Sequence, residues 1–496
     1  MWQELKKLLR HTAVYGAGSL LTKLVGFLLI PFYTHYLRPS AYGTLELLDL
    51  TLSLVALLVN VWVTIPLVRF YYDFSDVEEK KKVVSTALWA VSFIALVLSS
   101  LAMIFPKNLS MWILKSPDYA YYVQVIAVSF FLNCINSVAW NYVRAKQRSV
   151  LIVSINLCGM VVALVLNIFF VGYLKLGVLG VLYGSLIGNI LVTGVLVIQT
   201  IREVGFRFDS RKLKIMAVFG APLVFTNIGA FVLNFSDRFF LQHYSVVSVV
   251  GIYALGYKFG FMLSFLVIQP FSMIWSVRMY EIAAGQNARQ VFSKFSVYFC
   301  LVLTTCGIGL SIVIKDVIRI MAAPDFRPAY RIVPLIALAY VFQGLSYYFQ
   351  TGILVQKKTI YMGIMGFIGA ASNIALNFLL IPRFQGMGAA WATALSFFLM
   401  AVLTYSFSQQ TYPIPYRLWK VCLPVGLGIV IYLISTVISI NSLFLSISAK
   451  LLLIPVFWVL LYVLGFFDKD EIEKAKSIVG ILMARYGWGA AALPGS

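Results

Sequence analysis

The sequence predicts an all-α polytopic membrane protein of about fourteen transmembrane helices, built as two parallel six-helix repeats with two further helices at the C-terminal end. Three observations carry this. Hydrophobic residues make up 61% of the 496 residues and charged residues only 11%, a balance outside the water-soluble classes. Apolar runs of about 20 residues, long enough to cross the hydrocarbon as a helix, recur along the chain. The chain also aligns with itself at offsets of 208, 209 and 210 residues.

The runs fall at 12–37, 43–68, 83–105, 118–142, 150–173, 177–200, 215–240, 247–273, 292–314, 330–354, 360–381, 386–408, 418–439 and 446–467. The 118–142 run is the most polar, because it holds Asn133, Asn136 and Asn141. The first run is too long for a signal peptide and has no small-residue cleavage site. With the N-terminus inside, the cytoplasmic side, span ends included, collects 26 Lys and Arg and the opposite side 11. Both termini are therefore expected in the cytoplasm, with the protein in the inner membrane. One loop runs against the rule: 315–331 places Lys315, Arg319, Arg327 and Arg331 on the outer side. It reads either as an attractor for an anionic ligand or as a solvated loop that follows its neighbours.

The repeat defines the domains. "HYLRPSAYG" (His35–Gly43) aligns with "HYSVVSVVG" (His243–Gly251), "LVRFYYD" (Leu67–Asp73) with "SVRMYEI" (Ser276–Ile282), and "NIFFVGYLKLGVLGVLYGS" (Asn167–Ser185) with "NFLLIPRFQGMGAAWAT" (Asn377–Thr393). The period covers six spans, an even number, so both halves enter the membrane in the same sense. Residues 1–202 form one lobe and 215–408 the other. A basic cytoplasmic linker at 203–214, expected to lie along the membrane surface, joins them. The two added spans occupy 409–467 and a cytoplasmic tail 468–496. The tail's end, "GWGAAALPGS", reads as an appended or unstructured segment.

The net charge of +21 does not argue for nucleic acid, since no soluble domain exists to carry a basic patch. It follows from the loop asymmetry and contact with anionic lipid heads. The five cysteines, Cys134, Cys158, Cys300, Cys306 and Cys422, all fall in spans. Their spacing suggests no metal site or disulfide framework.

Charges inside the spans gather in two repeat-equivalent pairs. The first span holds Lys23 on a stripe with Tyr15, Ser19, Gly26 and Ile30, and the second holds Glu46, Asp49 and Ser53 on one face. The seventh holds Asn227, Asn234 and Arg238, with Asp237 beside it, and the eighth holds Lys258 with Tyr253 and Tyr257. Lys23 lies roughly 17–20 Å from either end of its span and Lys258 roughly 15 Å from the outer end of its own. A lysine side chain of about 6 Å cannot snorkel that far. Each ammonium needs a hydrated cavity or a carboxylate partner. Lys23, Lys258 and Arg238 are the candidate cavity cations, suited to a phosphate or pyrophosphate group, but Arg238, like Glu46, Asp49 and Asp237, lies in the outer third of its span and reads equally as an ordinary interfacial charge. Glu46, Asp49 and Asp237 are candidate ion-pair or coupling carboxylates, for H+ or Na+. Arg69 and Arg278 match across the repeat at the cytoplasmic edge, where they read either as positive-inside anchors or as the cytoplasmic mouth.

The stretches "GFLLIPFYTHYLRPSAYG" (Gly26–Gly43), "RFYYD" (Arg69–Asp73) followed by "KKKVVSTAL" (Lys80–Leu88), "PDFRPAYRIVPLIALAYVFQGL" (Pro324–Leu345) and "NFLLIPRFQGMGAAWATALS" (Asn377–Ser396) resemble the polysaccharide transporter branch of the multidrug/oligosaccharidyl-lipid/polysaccharide exporter superfamily. These are the flippases of O-antigen and capsule repeat units. The resemblance implies fourteen helices, two lobes in a V and a cationic central cavity. It also implies export of undecaprenyl-pyrophosphate-linked oligosaccharide from the cytoplasmic to the outer leaflet. Lys23 and Lys258 then take the cavity-cation role. The expected partners are the lipid-linked oligosaccharide, the bilayer and the polysaccharide polymerase machinery, with the protein a monomer and no cofactor beyond a coupling ion. A multidrug exporter of the same superfamily usually has twelve spans and a buried carboxylate in the first lobe, where this chain has a lysine. A lipid II flippase shares fourteen helices and a cationic cavity. A membrane glycosyltransferase fits worst, because Asp468–Lys469–Asp470, the only "DxD", stands in the tail with no domain around it.

Overall fold

The computed structural model describes residues 21, 23–438, 440 and 442–473. These residues are helical almost throughout. Eleven helices among them are long and apolar enough to cross a bilayer, or twelve when Pro324–Arg331 and Val333–Val355, bent by 42°, are taken as one span. The expected count of fourteen is not reached for two reasons. Residues 12–20 and 22 of the first run lie outside the described residues. The 52-residue helix Ile360–Thr411 is continuous only in name, because Gln385 breaks it with φ 48° and ψ −126°.

In chain order the elements are α1 (Ile30–Tyr36), α2 (Pro39–Asp73), α3 (Val77–Ile104), α4 (Pro106–Leu114), α5 (Ala120–Ala145), α6 (Ser149–Asn167) running into a π-helical turn, α7 (Val178–Val204) and α8 (Ser210–Tyr244). Then follow α9 (Val247–Leu263), a π-helical turn Ser264–Ile268, α10 (Gln269–Ala283), α11 (Ala288–Met321), a 3-10 segment Pro324–Arg331, α12 (Val333–Val355), α13 (Ile360–Thr411), α14 (Leu418–Val437), α15 (Leu443–Leu451) and α16 (Leu453–Val463).

Local chemistry sets the ends. Proline opens α2 at a position where its missing N–H breaks no helical bond. Asp76 caps α3, accepting from Glu78 N at 3.2 Å, with Glu78 and Glu79 in the first turn. Gly205, at φ +70°, ends α7. Asp209 caps α8 by accepting from Arg211 N and Lys212 N. The segment between lobes is therefore 205–209, shorter than the linker expected at 203–214. It is pinned to α3: Ser85 Oγ donates to Gly205 O at 3.0 Å, and Arg207 N and Asp209 N donate to Ser85 and Thr86 at 2.8 and 3.0 Å.

The internal repeat is written into the backbone. Gly177, ahead of α7, has φ 58° and ψ −128°. Gln385, 208 positions later, has φ 48° and ψ −126°. Glycine adopts that region freely; glutamine there is strained. The same unusual turn at the same place in each half is shape evidence for what the aligned blocks imply.

The added helices are fastened to the second lobe by a charge pair that sequence reading missed. Lys450 Nζ lies 2.6 Å from Asp316 Oδ2, both nearly buried at 5% and 8% side-chain exposure. Ser446 Oγ donates to the same carboxylate. Lys450→Met leaves Asp316 buried without its counter-charge, and such removals destabilise by about 3–5 kcal/mol. Thermal unfolding of purified protein should show a large loss for Lys450→Met and a smaller one for Lys450→Met with Asp316→Leu.

Candidate functional site between the lobes

The lobes meet where α2 packs on α8 and α9, and the crossing with α9 lies at the end of the helices farther from the 205–209 segment. Gly43 and Gly251 make the crossing so close that a side chain on either has no room. A Cβ on Gly43 would stand 2.2 Å from Val247 O, and one on Gly251 2.0 Å from Pro39 O. The two glycines are repeat partners, 208 residues apart. A contact between equivalent positions of two related halves sits on the axis that relates them. Thr34 Oγ1, which approaches Met321 O at 3.5 Å and accepts from Ala323 N at 3.3 Å, closes the same end. So does Lys115 Nζ, which donates to His243 O at 2.7 Å.

A charge network begins one turn further along α2. Lys258 Nζ on α9 donates to Tyr42 Oη at 2.8 Å and lies 3.5 Å from Glu46 Oε2. The other oxygen of Glu46 lies 3.8 Å from Arg238 Nε on α8. Arg238 Nη1 donates to Asp237 Oδ1 at 2.6 Å and Asn234 O at 2.8 Å, and the guanidinium lies 3.8 Å from the Tyr257 ring centroid. Asp237 also accepts from Tyr253 Oη. A further buried polar cluster stands nearby: Ser236, Asn373 and Asn377 bond one another, with Asn373 Nδ2 and Asn377 Oδ1 left unpartnered.

Exposure separates these residues into two kinds. From Tyr253 to Gly260 every residue of α9 is buried except Lys258, whose side chain is 48% exposed. A helix face turned to lipid would expose apolar residues at helical spacing. One exposed lysine among buried neighbours opens instead into space between the lobes. Asp49, one turn beyond Glu46, is also exposed. Arg238, only 1% exposed, differs from the sequence expectation of an open cavity cation. Its guanidinium folds back onto the adjacent Asp237.

Lys23 stands in helical backbone ahead of α1 and is exposed. Its ammonium faces Phe265 at 4.2 Å and Phe261 at 5.7 Å from the ring centroids, and Gln269 Oε1 at 3.3 Å. Lys258, Phe261, Phe265 and Gln269 follow spacings of three, four and four residues, a single helix face. Lys23 and Lys258 therefore lie along one path, roughly 10 Å apart by the helical rise between 258 and 265. The π-helical turn Ser264–Ile268 falls beside Lys23, and such turns recur at functional sites.

The set is not simply cationic, as the resemblance implied. Lys23, Lys258 and Arg238 are matched by Glu46, Asp49 and Asp237. Arg69 and Arg278 stand apart from it. Arg69 lies 4.5 Å from the ring centroid of the half-buried Phe219 and 3.8 Å from Asp73, and Arg278 lies 2.6 Å from Glu281, the four charged residues all exposed. Sequence reading missed Tyr42 and Gln269, the direct partners of the two lysines. Tyr42 carried a cue, one helical turn before Glu46 on the same face.

A model of the polysaccharide biosynthesis protein family matches residues 34–331. The chain belongs to that family. The chain is 23% identical over 393 residues to an uncharacterised membrane protein of Methanocaldococcus jannaschii, covering 74% of this chain and 73% of the relative. It is 22% identical over 317 residues to Lsg locus putative protein 1 of Haemophilus influenzae, covering 63% and 76%. Its fold is similar to that of a lipid II flippase MurJ structure in an inward closed conformation, with a TM-score of 0.73 over 91% of this chain and 99% of that one at 17% identity. An inward-facing multidrug resistance transporter of the multidrug and toxic compound extrusion (MATE) family, in the multidrug/oligosaccharidyl-lipid/polysaccharide superfamily, matches with a TM-score of 0.62 over 78% and 94% at 13% identity.

Proposed function

We propose that the protein is a flippase, not an enzyme, which carries polyprenyl-pyrophosphate-linked oligosaccharide of the O-antigen or capsule repeat-unit type from the cytoplasmic to the outer leaflet of the inner membrane. The observation that carries this reading is Lys258, the single exposed residue in a buried stretch of α9, facing the other lobe. A pyrophosphate entering there finds Lys258 with Tyr42 and Glu46, and Lys23 further along the same helix face. Charge-assisted hydrogen bonds to it are strong where water is scarce. Glu46 competes with the incoming anion for Lys258, so binding and release exchange one partner for another. Glu46, Asp49 and Asp237 are the proposed coupling carboxylates for H+ or Na+.

Transport follows by rocking one lobe against the other. The Gly43–Gly251 contact parts to open the outer side. Pro222 inside α8 supplies a hinge, because proline removes a backbone bond from the helix. The half of α8 before it packs on the first lobe, with Gly220 against Trp62. The half beyond it belongs to the second lobe.

A lipid II flippase is a second reading, supported by the fold match across nearly the whole of both chains. The test is complementation. Strains lacking a repeat-unit flippase should regain surface glycan, whereas a strain depleted of its lipid II flippase should not regain growth. Normal expression with no rescue by any repeat unit contradicts the proposal, and rescue of the lipid II strain alone selects the second reading.

A further inference from the structure

Among the described residues no ion pair joins Lys315, Arg319, Arg327 or Arg331 to the charge network between the lobes, and the loop that carries these cations stands beside a groove. An apolar hollow of about 310 Å³ lies where α11, α12, α13 and α14 converge, with Ile308, Leu338, Trp391 and Leu433 among its walls and Arg331 at its rim. That volume is at the small end of the ~300–1,000 Å³ typical of small-molecule sites. Trp391 and Leu433 are 45% and 56% exposed within helices long and apolar enough to span the membrane, so the groove opens sideways to lipid. Tyr330 stands between two cations at its mouth. Lys315 Nζ and Arg331 Cζ each lie 5.8 Å from its ring centroid, and Arg331 Nε approaches its hydroxyl at 3.4 Å. Among the described residues none of Lys315, Arg319, Arg327 and Arg331 forms an ion pair. The nearby Asp316 is engaged by Lys450.

We propose that this groove and its rim bind an anionic phospholipid, its phosphate on Arg331 and Lys315 and an acyl chain against α11–α14. Two independent features point to that one occupant. The walls are apolar and reached from the bilayer, which suits a chain. The rim is cationic, and neither carboxylate of the loop, Asp316 or Asp325, forms an ion pair with its cations among the described residues, on the side where the positive-inside rule disfavours cations. A wholly water-soluble anion would leave the groove unused, and a neutral lipid would leave the rim unused. The site lies in the outer leaflet under the orientation proposed above, but its binding chemistry does not depend on transport, so it stands or falls separately from the flippase reading.

The experiment is native mass spectrometry of purified protein mixed with equal amounts of phosphatidylglycerol and phosphatidylcholine. Wild-type protein should retain phosphatidylglycerol preferentially. Lys315→Gln with Arg331→Gln should lower that preference by about 25-fold, at about fivefold for each cation near a membrane surface. Leu338→Trp, which fills the groove and leaves the rim intact, should lower retention of both lipids. Circular dichroism melts confirm folding, and the two rim substitutions are at exposed positions. Equal retention of the two lipids by wild-type protein, or undiminished phosphatidylglycerol retention in the rim variant, overturns the proposal. Displacement of phosphatidylglycerol by equimolar undecaprenyl phosphate also overturns it, assigning the groove to the transported lipid instead.

Discussion

Gly251→Val should force the lobes apart at their outer contact. The Cβ alone would stand 2.0 Å from Pro39 O and 2.9 Å from Gly43 N. These atoms are backbone of the opposing helix, and no side-chain rotation can relieve them. Overpacking of this kind costs about 1–3 kcal/mol, equivalent to about a 5–150-fold change in the ratio of closed to open states. Gly43→Val should act alike, because its Cβ would meet Val247 O at 2.2 Å. Gly366→Ala is the control, with open space around its Cβ. Spin labels at the exposed positions His35 and Val246, in a background lacking the exposed cysteines Cys158, Cys306 and Cys422, report the separation. Double electron–electron resonance should show longer distances for Gly251→Val than for wild type, together with a large fall in transport. Unchanged distances and normal transport would mean that the glycine crossing is not the outer gate.

The fold was legible because the bilayer simplifies the problem. Spans of fixed length and the self-alignment required no knowledge of packing. The block containing Asn167–Ser185 and Asn377–Thr393 predicted equivalence, and the matched backbone at Gly177 and Gln385 shows it. Gly43 and Gly251 were aligned as sequence, but their mutual contact was not foreseen, since alignment does not say which pairs lie on the axis. Helix ends were less legible. The run of basic residues from 202 to 214 read as linker, whereas the Asp209 cap starts α8 inside it.

The site was legible by residue type and not by pairing. Depth alone singled out Lys23 and Lys258 as needing water or a partner. Depth could not show that Arg238 turns back to Asp237, because residues adjacent in a helix do not normally face each other. It could not show that Glu46 reaches Lys258 and Arg238 at once, as that depends on how α2 lies across α8 and α9. The pair Lys450–Asp316 escaped for the same reason. Each residue sat near a span end, where a charge is unremarkable, and only the docking of α15 on α11 buries both.

The second large effect concerns charge at the two exposed lysines. Lys23→Arg should keep substantial transport, although the planar guanidinium is a poorer match to a pocket shaped for an ammonium. Lys23→Ala should lose most transport, and Lys23→Glu should abolish it, because a carboxylate beside pyrophosphate adds repulsion. The same order is expected at Lys258, with one addition. Glu46 is its resident partner at 3.5 Å, so Glu46→Gln should free Lys258 for the ligand and tighten binding while slowing release. Removing one member of an inter-lobe pair can destabilise the fold and mimic a transport defect, so folded protein must be quantified for every variant.

The most direct measurement is equilibrium binding of a polyprenyl-pyrophosphate-linked oligosaccharide to the purified full-length protein in lipid nanodiscs. Wild type, Glu46→Gln, Lys23→Glu and Lys258→Glu are compared at equal folded concentration. Hydrogen bonds to charged groups contribute about 1.5–3 kcal/mol each. Each lysine reversal should therefore weaken binding by at least about 10–150-fold, and Glu46→Gln should strengthen it. Folded Lys23→Glu and Lys258→Glu proteins that bind the ligand as wild type does would contradict the account, and would make both lysines structural.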